Sequence, residues 1–254
     1  MVFDGKVVVV TGASAGIGRD IALAFAGKGA TVVVNGRNPA RVEAVAGEIR
    51  DTGRRALGVA ANVAQKDQVS GLIGRTIDQF GRIDILVNNA GGSSGSRRVE
   101  DLSEEDWDTV VDNNLKSVFL VSQAALPHLK RQGSGRIINI SSQAGRAQTI
   151  LAGPHYAAAK AGVIAFTRQL ARELAESGIT VNAVAPGIIN SGPRLDSLWT
   201  SFSPEDRERF LADIPLRRRG ENREVVAAVL FLASDDASYF VGSTLDVNGG
   251  RWMI

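Results

Sequence analysis

The chain has 254 residues, 44% of them apolar and 22% charged, which is the mix of a soluble globular protein and excludes a disordered or fibrous chain. Its 29 basic and 27 acidic residues leave a net charge of +2, too small a field to imply nucleic acid. Cysteine is absent, which excludes disulfides, thiolate metal sites and a thiol nucleophile and fits a reducing compartment.

The opening residues, MVFDGKVVVVTG, lack the long apolar core of a secretory signal. No stretch approaches the roughly 20 apolar residues of a membrane span. The expectation is a soluble cytoplasmic protein with no membrane or nucleic-acid partner.

Short β-branched runs recur along the chain: KVVVVT (6–11), ATVVVN (30–35), RALGVA (55–60), DILVNN (84–89), RIINIS (136–141), ITVNAV (179–184) and STLDVN (243–248). The segments between them are long enough for crossover helices. This alternation predicts an α/β fold, a Rossmann-type doubly wound parallel sheet of about seven strands with helices on both faces. No linker or compositional break divides the chain, so it reads as a single domain over 1–254. The stretch 188–215 carries a helix start at Ser203-Pro204-Glu205-Asp206 and the aromatics Trp199, Phe202 and Phe210. It reads as a short helical substrate lid with an apolar underside, or else as a surface excursion pinned by its aromatics.

The first run leads straight into TGASAGIG, Thr11 to Gly18, and a helical pattern follows from Arg19. Gly12, Gly16 and Gly18, with Ser14, Ala15 and Ile17 between them, permit a tight turn and close approach of the backbone to a pyrophosphate at the helix N-terminus. The second run decides which dinucleotide fits. An acid at its end would bind the ribose 2′-OH of NAD, but here Gly36 stands in that place and Arg37 follows. NADP(H) is therefore favoured over NAD(H), with a solvated turn residue as the other reading of Arg37. The short basic run Arg217 to Arg219 reads as solvated charge.

HYAAAKAG, 155–162, places Tyr156 and Lys160 on one helical face with small residues around them. Bringing a phenol from about 10 toward 7 takes roughly 4 kcal/mol. One cation about 4 Å away supplies a similar amount at an effective dielectric of about 20. The pair can therefore move a proton near neutral pH. INISSQAG, ending the fifth run, sets Ser141 and Ser142 at the carboxyl edge of the sheet, where open α/β folds bind ligands. A hydrolase elbow is absent. His155 and His128 read as structural or surface residues, and acids such as Asp106 and Asp108 show no metal spacing.

Seven stretches in order, TGASAGIG, NNAG, NNLKSVF, INISS, YAAAK, Pro186-Gly187 and GSTLDVNGG, together resemble the short-chain dehydrogenase/reductase family over essentially the whole chain. The resemblance implies that Ser142 polarises a substrate oxygen and that Tyr156 is the acid in reduction or the base in oxidation. Lys160 would lower the tyrosine pKa and hold the nicotinamide ribose, and Asn114 would anchor a proton-relay water. Asn88, Ala90 and Gly91 would line the middle of the cofactor cradle, Asn62 and Val63 its adenine end, and Pro186, Gly187, Ile189 and Ser191 its carboxamide end. The family also implies a homotetramer packed through 104–131, 156–177 and the last strand. Three departures stand out: Asn62 replaces an acid, Ser191 a threonine, and Ala15 offers no second cation.

Within the family the chain looks most like the 3-oxoacyl-[acyl-carrier-protein] reductases, which implies a small ketone or alcohol substrate, or an acyl-thioester. Ser177 stands where many of those enzymes carry a basic residue to meet the acidic carrier, Lys130, Arg131 and Arg217 to Arg219 either compensate for it or are solvated charge, and the insert is longer than theirs. A sugar, polyol or cyclic alcohol dehydrogenase is the alternative, and a non-catalytic dinucleotide sensor the alternative from another class.

Overall fold

Four consecutive valines cannot alternate between polar and apolar, so the first strand, β1 (Val7–Val10), has to be covered on both faces. The computed structural model describes residues 2–93, 95–147 and 151–253, and all side chains among them except those of residues 193–195. After β1 come α1 (Gly16–Gly27), β2 (Thr31–Gly36), α2 (Pro39–Asp51), β3 (Ala56–Ala60), α3 (Lys66–Phe80) and β4 (Ile85–Asn88). The second half continues with α4 (Glu104–Val111), α5 (Ser117–Gln132), β5 (Gly135–Ile140), α6 (Pro154–Leu174) and β6 (Ile179–Pro186). It closes with β7 (Ile189–Asn190), α7 (Pro193–Ser201), α8 (Pro204–Ala212), β8 (Gly220–Glu221), α9 (Asn222–Ala233) and β9 (Thr244–Val247).

The seven long strands pair in the order β3-β2-β1-β4-β5-β6-β9, all parallel. The strand order reverses between β1 and β4, which opens a crevice at their carboxyl ends. Because strand side chains alternate, Val8 and Val10 face Ile21 and Phe25 of α1 and Val225 and Val229 of α9. Val7 and Val9 face Leu72 of α3, Val121 and Leu129 of α5 and Leu170 of α6. The core is thus two apolar layers separated by the sheet, as a doubly wound fold requires. Among the described residues no helix is long and apolar enough to cross a membrane.

The helical stretch expected over 104–131 is interrupted. Asp112–Lys116 forms a π-helical turn between α4 and α5, and Asn114 sits in it. The insert also holds more structure than the sequence signals. Helix α8 starts where expected, with the Ser203 hydroxyl accepting from the Asp206 N–H at 3.0 Å. Helix α7 has no side-chain cap, only Gly192 before its proline, so little in the sequence marks its start. Two-residue strands β7 and β8 pair in parallel and tie the base of the insert to the start of α9. Phe210 is buried against Trp199 and Phe202, with ring centroids 6.1 and 5.0 Å away.

Candidate active site

The carboxyl end of β5 builds the centre of the site. Ser141 and Ser142 follow the strand, and Ser142 caps a 3₁₀ turn over Gln143–Gly145, its Oγ accepting from the Ala144 N–H at 3.1 Å. The hydroxyl proton of Ser142 is left to donate. Ser141 instead turns inward and donates to the Lys160 carbonyl at 2.8 Å, fixing α6 against the strand end. Lys160 Nζ donates to the Ile140 carbonyl at 2.8 Å, so consecutive residues of one strand end hold Lys160 by its backbone and its ammonium. Tyr156 lies one turn earlier, in the first turn of α6, with Lys160 Nζ 5.7 Å from its ring centroid.

Lys160 is buried, and that burial pushes its pKa down to about 8. The fixed cation expected from the sequence is therefore a titratable one, since desolvation of an ammonium penalises its charged form. His155 is also fully buried, and His128 interacts with Arg131 on α5. Neither histidine lines the cavity beside Tyr156.

Asn114 is fully buried behind this wall. Its Oδ1 accepts from the Gly92 N–H at 2.9 Å, and its Nδ2 donates to the carbonyls of Gly92 at 3.0 Å and Val110 at 2.8 Å. The amide is consumed in clamping the loop after β4 to the π turn. Gly91, at φ +143°, has no room for a Cβ against Asn114 Oδ1. Asn88 likewise turns inward: its Nδ2 donates to Ser122 and to Asn139, and Asn139 donates to Thr167. That buried ladder joins β4, β5, α5 and α6, and the Asn88 side chain does not line the cradle.

A groove of about 440 Å³ runs along the crevice at the β1 and β4 ends, lined by Gly12, Ser14, Gly36, Arg37, Asn62, Val63, Ala90 and Gly91. Gly12 takes φ +64°, and an added Cβ there would stand 2.8 Å from Ala90 Cα. Asn89, which the sequence reading passed over, holds this turn by donating from Nδ2 to the carbonyls of Thr11 and Gly12 at 2.9 and 3.1 Å. Ala15 precedes α1, and Gly16, Ile17 and Gly18 form its first turn, with no side-chain cap and no acid. Those open N–H groups and the absent side chains fit the pyrophosphate of a dinucleotide. An added Cβ on Gly16 would stand 3.0 Å from the Ser191 carbonyl, so the residue that follows β7 closes over the loop. At Gly36 a Cβ would stand 2.8 Å from Ser14 Oγ, so an acid there has no space. Arg37 is exposed on the groove wall, and no ion pair engages it among the described residues. Asn62 Oδ1 accepts from the Ala64 N–H, which fixes its turn rather than leaving the oxygen free.

A second cavity, of about 590 Å³, adjoins the groove at Ser93, which lines both. This cavity is lined by Ser142 and Tyr156, by Gly187 and Ile189, and by Leu198, Trp199 and Phe202 of the insert. Pro186 lies just below, buried at the end of β6. Two arginines, Arg219 and Arg251, also line this cavity, a convergence that no motif or spacing signals. The run at 217–219, read as solvated charge, is in fact divided: Arg218 pairs with Glu224, while Arg219 stacks on Trp199 and bonds Asp196.

A family profile for short chain dehydrogenases matches residues 6–198. A 3-oxoacyl-[acyl-carrier-protein] reductase of Staphylococcus aureus (strain N315) is 45% identical over 98% of both chains. The BbsD subunit of a (2S)-[(R)-hydroxy(phenyl)methyl]succinyl-CoA dehydrogenase from Thauera aromatica is 41% identical over 99% of this chain and 98% of its own. The crystal structure of a 3-oxoacyl-[acyl-carrier protein] reductase from Brucella melitensis superposes with a TM-score of 0.91 at 36% identity, covering 100% of this chain and 93% of that one. The profile over most of the chain, the relatives over nearly all of it and the superposed fold agree, and the chain belongs to the short-chain dehydrogenase/reductase family of oxidoreductases.

Proposed function

We propose that this enzyme is an NADP(H)-dependent reductase of ketones carried on acyl chains, of the 3-oxoacyl-thioester type. The observation that carries the reading is that Ser142 and Tyr156 line one apolar cavity that adjoins the dinucleotide groove, with Lys160 buried and its ammonium 5.7 Å from the Tyr156 ring centroid. The bound nicotinamide dinucleotide supplies the hydride in reduction and accepts it in oxidation. Ser142 donates a hydrogen bond to the ketone oxygen and orients it. Tyr156 gives that oxygen its proton as charge develops there, and takes it back in the reverse direction. Lys160, when charged, favours the phenolate left on Tyr156 and holds the ribose beside it. Groups so assembled argue for turnover rather than for a dinucleotide sensor.

Arg37, with no acid beside it, and the closed space at Gly36 support the 2′-phosphate of NADP(H). The apolar insert residues favour an acyl or cyclic ketone over a sugar. The names of the relatives point the same way, since both specify acyl groups on a carrier, the acyl-carrier protein or coenzyme A. The insert over 188–215 serves as a lid on one cytoplasmic domain. A homotetramer is supported by the exposed aromatics Trp107 and Phe119 on α4 and α5 and by fully exposed Tyr239 just before the last strand. Light scattering should give four times 26.8 kDa, and a monomer mass would overturn that assembly.

The function is tested by following oxidation of NADPH and NADH with β-ketoacyl thioesters, cyclic ketones and sugars. NADPH-dependent reduction of the thioesters is expected, with Arg37→Ala weakening NADPH about tenfold or more and NADH little. Equal use of both nucleotides that Arg37→Ala leaves unchanged contradicts the cofactor assignment, and turnover of sugars alone contradicts the substrate class.

A further inference from the structure

Burying a guanidinium in an apolar pocket is costly unless its donors are engaged. Arg251 lines the substrate cavity with its side chain only 13% exposed. Its nearest ion partner, Asp213, stands 3.6 Å away with a side chain 65% exposed, beyond hydrogen-bond reach. Among the described residues no hydrogen bond engages the Arg251 guanidinium, which carries five N–H donors. Arg219, on the same cavity, spends two donors on Asp196 and Asn190, each at 3.2 Å, and is held flat against Trp199. No aspartate or glutamate stands among the described residues that line the cavity.

Two arginines therefore line an apolar chamber: Arg219 is paired with Asp196, Arg251 has only the distant, exposed Asp213, and no carboxylate lines the chamber itself among the described residues. Leu198, Trp199 and Phe202 give that chamber an apolar lining suited to an apolar or aromatic body, in the same cavity as the arginines and Ser142. We infer that the ketone reduced here carries an oxyanion remote from its carbonyl, and that Arg251, supported by Arg219, is the residue that selects it. A planar guanidinium pairs two oxygens of a carboxylate or phosphate at once, a geometry that lysine cannot offer. The inference rests on the reductase reading above and narrows its substrate class.

The test compares matched ketones on the full-length enzyme with NADPH. One pair is 4-oxo-4-phenylbutanoate and its neutral amide, and the other is the acetoacetyl thioester of coenzyme A and that of N-acetylcysteamine. The charged member of at least one pair should show kcat/KM about tenfold or more above its neutral partner. Arg251→Gln should reduce that preference to about threefold or less, through KM rather than kcat, because the contact exists equally in the ground and transition states. A preference in the acid pair that Arg251→Gln removes identifies a carboxylate on the substrate, and one in the thioester pair alone that Arg251→Gln removes identifies a carrier phosphate. Equal kcat/KM within both wild-type pairs overturns the inference and leaves the reductase reading in place. So does a loss in Arg251→Gln that is the same for charged and neutral members. No turnover of any of the four overturns both.

Discussion

Tyr156 and Lys160 stand four residues apart, and their roles diverge because their surroundings do. Tyr156 reaches the cavity, whereas Lys160 is sealed between α6 and the end of β5, where its ammonium meets a carbonyl and, among the described residues, no carboxylate. Its pKa falls from 10.5 to about 8 through burial alone. Between those values the unfolded chain binds a proton that the native state does not, so native stability rises with pH across that window and the full cost of the buried charge is present below about 8. Lys160→Met removes the cost. The ligand-free variant should be more stable relative to wild type at pH 7 than at pH 10, by on the order of 2–3 kcal/mol in denaturant unfolding. A difference that does not change with pH would show that the lysine is not desolvated in this way. At this scale the sequence was informative about which residue types meet, because motif spacing carries that. It was silent on burial, and so a titratable lysine read as a fixed charge.

Elements place those residues through close backbone contacts. The 3₁₀ turn after Ser142 ends in Gly145, where an added Cβ would lie 2.5 Å from the Lys160 carbonyl carbon and 2.7 Å from the Ala161 nitrogen. Gly145→Ala must push α6 away from the strand end that grips Lys160. Overpacking of this kind costs about 1–3 kcal/mol. The expected outcome is a lower melting temperature together with a fall in kcat larger than any rise in KM, measured by thermal unfolding and steady-state rates. Unchanged kcat with wild-type stability would mean that the turn does not position the lysine. The long strands were legible because β-branched runs bounded by glycine and polar residues have few other uses, and α8 because Ser203 and Pro204 mark its start. The π turn around Asn114 has no such mark. Neither do β7 and β8, two residues each, which exist only because the chain returns beside itself some thirty residues later.

At the scale of the whole molecule, two recesses meet at Ser93: a groove over the sheet's topological switch point and a chamber beneath the insert. The groove was legible in outline, since its glycines follow the first strand directly. The chamber was not, because Trp199, Arg219 and Arg251 come from separate elements that only tertiary packing brings together. The division predicts that cofactor binding and chemistry separate cleanly in one variant. Tyr156→Phe keeps the ring that packs beside Lys160 and removes only the hydroxyl. Measured side by side with wild type, it should bind NADPH within about threefold while its rate of ketone reduction falls at least about 100-fold. Ketone reduction near the wild-type rate in Tyr156→Phe, with NADPH binding intact, would contradict the account.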